Sequence, residues 1–99
     1  LQRHSSNLAR LEFMNQFTSN PGRELLVIRP HAVEDGMTAV LAVRDRKTVV
    51  VDLSGMDSSQ AQRTADFVSG GVEALDGGLH RLADHVFLFT PAGIQVTLN

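Results

Sequence analysis

The sequence predicts a mixed α/β fold: a two-layer sandwich with two helices and a mixed sheet of about five strands, ordered β-α-β-α-β-β-β. Three observations predict it. Two short apolar runs, "ELLVIRP" and "TVVVDL", enclose an amphipathic stretch of helical length. A longer amphipathic stretch, "SQAQRTADFVSGGVEAL", follows the second run. Then come "LHRLA", "HVFLFT" and "GIQVTL", with the turn signal "TPAG" before the last. These three runs show strand-like rather than helical period.

Each element has its own warrant. Residues 1–23 are polar and end in Asn-Pro-Gly, a turn signal, so they read as a linker or short docking segment before a domain spanning 24–99. Leu8, Leu11, Met14 and Phe17 recur there at helix-like intervals, but Arg3 and Arg10 give too little basic character for a membrane-surface helix. "ELLVIRP" is a buried strand closed by Pro30. Between Val33 and Arg46, residues Val33, Met37, Val40, Leu41 and Ala42 share a helical face. Glu34 and Asp35 sit at its start and Arg44, Arg46 and Lys47 at its end, as the helix dipole favours. "TVVVDL" is apolar on both faces, the pattern of a strand inside a covered parallel sheet.

Composition narrows the function. Ninety-nine residues suit a single domain. A net charge of −2 and a pI near 6.0 leave no basic footprint for nucleic acid. There is no Trp or Tyr, and Phe occurs only at 13, 17, 67, 87 and 89, which leaves little for stacking on bases. Without cysteine there is neither a disulfide nor a thiolate metal site.

The helix predicted from Ser58 carries the most informative pattern. Asp57 or Ser58 suits its N-cap. Ala61, Ala65, Val68, Val72 and Leu75 form one stripe, assigned to the domain's own sheet, while Gln62, Asp66, Ser69 and Glu73 are assigned to water. The remaining side holds Gln60, Arg63, Thr64, Phe67, Gly70, Gly71 and Ala74. Glycine inside a helix costs about 1 kcal/mol relative to alanine, so an adjacent pair asks for a reason, and close approach of another helix supplies one. On that reading Gly71→Lys breaks a contact between copies and leaves the fold intact. Gly77 and Gly78 read as the helix end and turn. Neither G-x-G-x-x-G nor a P-loop is present, so a nucleotide loop is excluded.

Catalytic chemistry is thin. His4, His31, His80 and His85 make no metal-binding pair at helical spacing, and Ser54, Ser58, Ser59 and Ser69 lack an activating context. Asp52 ends a strand at the edge where α/β enzymes place their sites, but no second acid, base or ligand accompanies it. The chain reads as a non-enzyme with no cofactor.

Residues 47–96 carry "VVVDL", "SQAQR", "DFVSGG", "ALDGG" and "VFLFTPAGIQV" in that order. This run closely resembles the core of the SepF family of bacterial cell-division proteins, and "LLVIRP" with the following helix extends the resemblance to about residues 24–98. The resemblance implies a dimeric α/β domain that assembles further and binds the C-terminal peptide of the tubulin-like protein FtsZ. It would help to tether and align FtsZ filaments at the division septum, on the cytoplasmic face of the membrane. Family members reach that membrane through an N-terminal amphipathic helix, which residues 1–23 do not resemble. Carried onto this chain, the resemblance points to Gln60, Ala61, Thr64, Phe67 and Phe87 as FtsZ contacts. It points to Phe67, Gly70, Gly71 and Ala74 for self-association. Glu73 stands where the family often has Tyr or Phe, which removes an aromatic contact there.

Two rival readings have their own signals. "VVVDLSGMDSS" also resembles the strand, loop and phosphorylatable serine of STAS-type switch domains. Against this, Gln60 replaces an expected glycine, and three predicted strands follow the long helix instead of alternating helices and strands. A ligand-binding regulatory domain of ferredoxin-like build would need a deep pocket with convergent polar groups.

Overall fold

A computed structural model describes residues 24–99 of the chain. Strand β1 (Leu25–Ile28) leads through a 3-10 turn (Val33–Asp35) into helix α1 (Gly36–Arg44). Strand β2 (Thr48–Asp52), helix α2 (Ser58–Ala74), and strands β3 (Gly78–Ala83) and β4 (Val86–Thr90) follow. The sheet order is β1-β2-β4-β3, with β1 parallel to β2 and β4 antiparallel to both β2 and β3.

Two crossovers explain where the helices lie. β1 to β2 through α1, and β2 to β3 through α2, both connect parallel strands and both step in the same direction across the sheet. Crossovers of one hand stepping one way put both helices on the same face. Between helices and sheet lies the core of Ala39, Ala42, Val43, Val49, Val51, Leu53, Ala61, Ala65, Val68, Val72 and Phe89. Among the described residues, no helix or strand covers the other face. A row from Val27 through Val50 and Leu88 to His80 runs across it, and Leu25 and Val27 are 61% and 62% exposed. The apolar β2 is therefore central, as its composition predicts. Among the described residues it is not covered on both sides, since Val49 and Val51 are buried and Val50 only half-buried.

The α/β class and the predicted order of elements hold through β4, and the sheet has four strands rather than about five. "GIQVTL" forms no strand. After β4 a turn over Pro91–Ile94, with Gly93 at φ +84° and Ile94 N–H donating to the Pro91 carbonyl at 3.4 Å, sends the chain back. Both sides of β4 are already taken by β2 and β3, so the returning residues find no ladder there.

Local chemistry sets the helix ends. Asp57 caps α2 by accepting from the Gln60 amide at 2.8 Å, an interaction worth about 1 kcal/mol. At the front of α1, Asp35 Oδ2 accepts from the amides of His31 and Ala32 at 2.9 and 3.0 Å. The C-terminal signal is used differently from the prediction. The left-handed residue that ends α2 is Asp76, at φ 59°, not a glycine; aspartate tolerates that region better than most side chains. Gly77 is needed for closeness instead: a Cβ there would sit 2.5 Å from the Thr90 carbonyl oxygen.

The paired glycines within α2 divide the same way. The helix runs straight through them, as the apolar stripe requires. A Cβ on Gly71 would meet Val40 of α1 at 2.8 Å, whereas one on Gly70 would meet nothing within 4 Å. The need for a small residue at 71 thus arises inside the chain, where α1 packs on α2. The expectation that Gly71→Lys spares the fold is corrected accordingly, because a side chain there collides with Val40. Gly70 is the member of the pair that faces outward.

Candidate functional site

On the flank of α2 away from α1, a groove of about 250 Å³ runs between the helix and the β3–β4 hairpin. Ala61 and Ala65 of α2, Leu53 after β2, and Phe87 of β4 are its apolar lining. Ser58, Gln62, Asp66 and Ser69 from the helix, with Arg81, Asp84 and His85 from the hairpin, supply its polar groups.

Hairpin geometry builds one wall. The Arg81 guanidinium lies 5.4 Å from the Phe87 ring centroid, within the range of a cation–π contact. Its Nε donates to the Ala83 carbonyl at 3.3 Å and its Nη2 to the Asp84 carbonyl at 2.7 Å. These bonds hold the side chain over the ring and leave other guanidinium donors for a partner. Phe87 stacks at 6.2 Å on Phe89, which is fully buried, so the groove floor is continuous with the core. Arg81 reaches this side because the pairing shifts by one residue between Arg81 and Ala83, which sets Arg81 opposite Phe87.

A second apolar surface lies on the opposite flank, over both helices. Met37 and Leu41 of α1 and Phe67 of α2 are each 40–45% exposed there. Phe67 leans over Gly36, where a Cβ would come within 3.2 Å of its ring. Gly70 and Ala74 lie exposed on the same side of α2.

The residues predicted as partner contacts are therefore split. Ala61 and Phe87 meet in the groove. Phe67 belongs to the other flank, and Gln60, on the same side of the helix wheel, is half-buried. Thr64 is corrected: it is 0% exposed, its hydroxyl donating to the Gln60 carbonyl at 2.8 Å and lying 3.5 Å from Met56 Sδ, so no partner can touch it in this fold. The wheel assigned Gln62, Asp66 and Ser69 to bulk water, whereas they form a groove wall. Arg81, Asp84 and His85 were missed. A cation on the strand next to an aromatic would have been a usable signal only if the one-residue shift in pairing had been known.

The lone strand-end acid, Asp52, is engaged structurally. Hydrogen bonding from Ser54 holds its carboxyl below the ordinary value, helped by the Arg29 guanidinium. The Ser54 amide donates to Oδ1 and Arg29 Nε to Oδ2, both at 3.0 Å. No group of three or more His, Asp or Glu side chains that could hold a metal occurs among the described residues. None of the described helices is long and apolar enough to cross a membrane.

Comparison with known proteins gives a consistent result. Residues 25–96 match the family model described as "Cell division protein SepF". A protein of that name from Picosynechococcus sp. is 46% identical over 79 residues, covering 80% of this chain and 40% of the relative. Its counterpart from Nostoc punctiforme is 49% identical over 74 residues, covering 75% and 37%. The chain thus spans about two fifths of the length of these relatives. Among solved structures, a SepF-like protein from Archaeoglobus fulgidus superposes with a TM-score of 0.69 at 20% identity, over 77% of this chain and 94% of that one. That likeness supports the fold.

Proposed function

The chain belongs to the SepF family of cell division proteins, and from that premise we propose that it is a non-enzymatic adaptor. It binds the C-terminal peptide of FtsZ in the groove beside α2 and self-associates through the opposite flank. In this way it helps to tether and align FtsZ filaments at the septum, on the cytoplasmic face of the membrane.

The observation that carries this reading is the groove wall of Phe87 and Arg81, with Ala61 at its floor. A linear peptide needs an apolar floor for one or two side chains and fixed donors at the rim to set its register. The groove supplies both, at a size suited to side chains rather than to a whole cofactor. For self-association, Met37, Leu41 and Phe67 supply apolar area beside the open backbone at Gly70 and the small Ala74. The bare sheet face is a further apolar surface that another copy could cover. The STAS-type reading loses its support, because two adjacent antiparallel strands follow α2 instead of a further helix-strand alternation.

Titration of a labelled FtsZ C-terminal peptide tests the adaptor reading. Saturable binding is expected. No binding at millimolar peptide, by a chain shown to be folded, would sink it.

A further inference from the structure

We propose that residues 94–98, Ile-Gln-Val-Thr-Leu, add as a strand to the outer edge of β1 in a second copy of this chain. The segment has the composition for it: Ile94, Val96 and Leu98 alternate with Gln95 and Thr97, and three of the five are β-branched. Ile94 and Leu98 are nevertheless exposed, and among the described residues the segment has no strand partner.

Its own sheet cannot accept it. The Pro91–Ile94 turn keeps its ends within about 7 Å, and Arg46 Nη1 pins that turn by donating to the Ala92 carbonyl at 2.9 Å. The strand position outside β1 lies three spacings from β4, or about 14 Å at roughly 4.8 Å each. Residues 94–98 therefore cannot lie along β1 of the same chain, and β4, the strand beside them, has both edges filled. A second copy removes that restriction of reach.

The two edges of the sheet also differ as acceptors. β3 is guarded by its irregular pairing at Arg81/Ala83 and by the Arg81 side chain folded onto the Ala83 and Asp84 carbonyls. β1 reads Leu-Leu-Val-Ile, with no charge, proline or bulge inside it. Among the described residues nothing pairs with the outer side of β1, and an unguarded apolar edge is a template for another strand. The exchange is reciprocal in a two-fold dimer, each copy giving one segment and receiving one. It extends the sheet beside Leu25 and Val27, the most exposed large apolar residues of the bare face.

Because the chain has no cysteine, disulfide trapping is clean. Chains carrying Val27→Cys are mixed with differently tagged chains carrying Gln95→Cys or Val96→Cys and mildly oxidised. Side chains alternate along a strand, so one donor variant is expected to cross-link at least about fivefold more than the other. Equal yields, or none from either, overturn the proposal. So does a double variant that closes its disulfide within one chain at high dilution. In parallel, Gln95→Pro and Val96→Pro are compared with wild type by amide exchange. Protection of residues 25–28 is expected to rise with protein concentration in wild type and to be lost in one proline variant or both; unchanged protection in both overturns it. The inference shares with the adaptor reading only the premise that copies associate. FtsZ-peptide binding is measured on the same proteins, so either idea can fail alone.

Discussion

Helix α2 has two distinct flanks, and they are built on different principles. The groove flank is made from long side chains: Arg81 is pinned by carbonyls and laid along Phe87, with a polar rim from Gln62, Asp66 and Ser69. The α1 flank is made by removing side chains, so that Val40 seats on Gly71 and the backbone at Gly70 is left open. On the proposed reading, one surface would recognise through placed donors and an aromatic floor, the other through close approach. The comparison also shows that adjacent residues of one helix can serve different ends, since Gly71 serves the fold and Gly70 the surface.

Breaking the floor beneath both flanks has the largest expected effect. Phe89 is fully buried between Val49 and Leu79 in the ladder, under Phe87. Phe89→Ala is expected to cost about 3–5 kcal/mol in urea unfolding, a large share of a small domain's stability. Peptide binding and self-association should weaken together.

The glycine pair sharpens the comparison next. Gly71→Lys forces a side chain into Val40 and is expected to destabilise by about 1–3 kcal/mol. Gly70→Lys should be neutral or stabilising by up to about 1 kcal/mol, because it removes a helix glycine without a clash. It should still shift the oligomer distribution seen by sedimentation. Equal melting of the two variants would mean that α1 does not pack on Gly71 as described.

Phe87→Ala tests the other flank. FtsZ-peptide affinity is expected to fall about tenfold or more, equivalent to about 1.4 kcal/mol, while Gly70→Lys leaves it unchanged. If both variants lost the peptide equally, the two flanks would be one site.

The smallest effect concerns the entry to α2. Asp52 is held below its ordinary pKa by Ser54 and then Arg29. Its contribution to stability is therefore present above the unfolded value of about 3.9 and is lost as pH falls through the folded value. Asp52→Asn should melt slightly below wild type near neutrality, with the gap closing in acid. A gap that widened in acid would reverse the assignment.

Much of this was legible before any coordinates. Apolar runs bounded by Pro30 and Asp57, the stripe from Ala61 to Val72, and the passage of α2 through two glycines all follow from local period and capping. Those are interactions between residues a few positions apart, and sequence spacing measures them directly. Motif order was equally legible, which is why residues 25–96 match one family. The division of the site residues was not. The resemblance pointed to Thr64 as a contact, and a helix wheel, which reports angles around α2 but not which neighbour stands at each angle, gave no sign that Met56 and Gly36 close over it.

By itself, then, the sequence determined the elements through β4, their order and the buried stripe, because local spacing and capping decide those. Tertiary structure alone decided which face each hairpin residue uses. Regular pairing from the Asp84–His85 turn, with Ala83 opposite Val86, would set Arg81 opposite Leu88 on the bare face. One irregularity in the ladder sets it opposite Phe87 instead. Side chains alternate at every residue of a strand, so a shift of one position moves a cation from one side of the sheet to the other. The third strand and last turn show the same limit. "GIQVTL" has the pattern of a strand, yet a strand exists only where an edge is free to receive it.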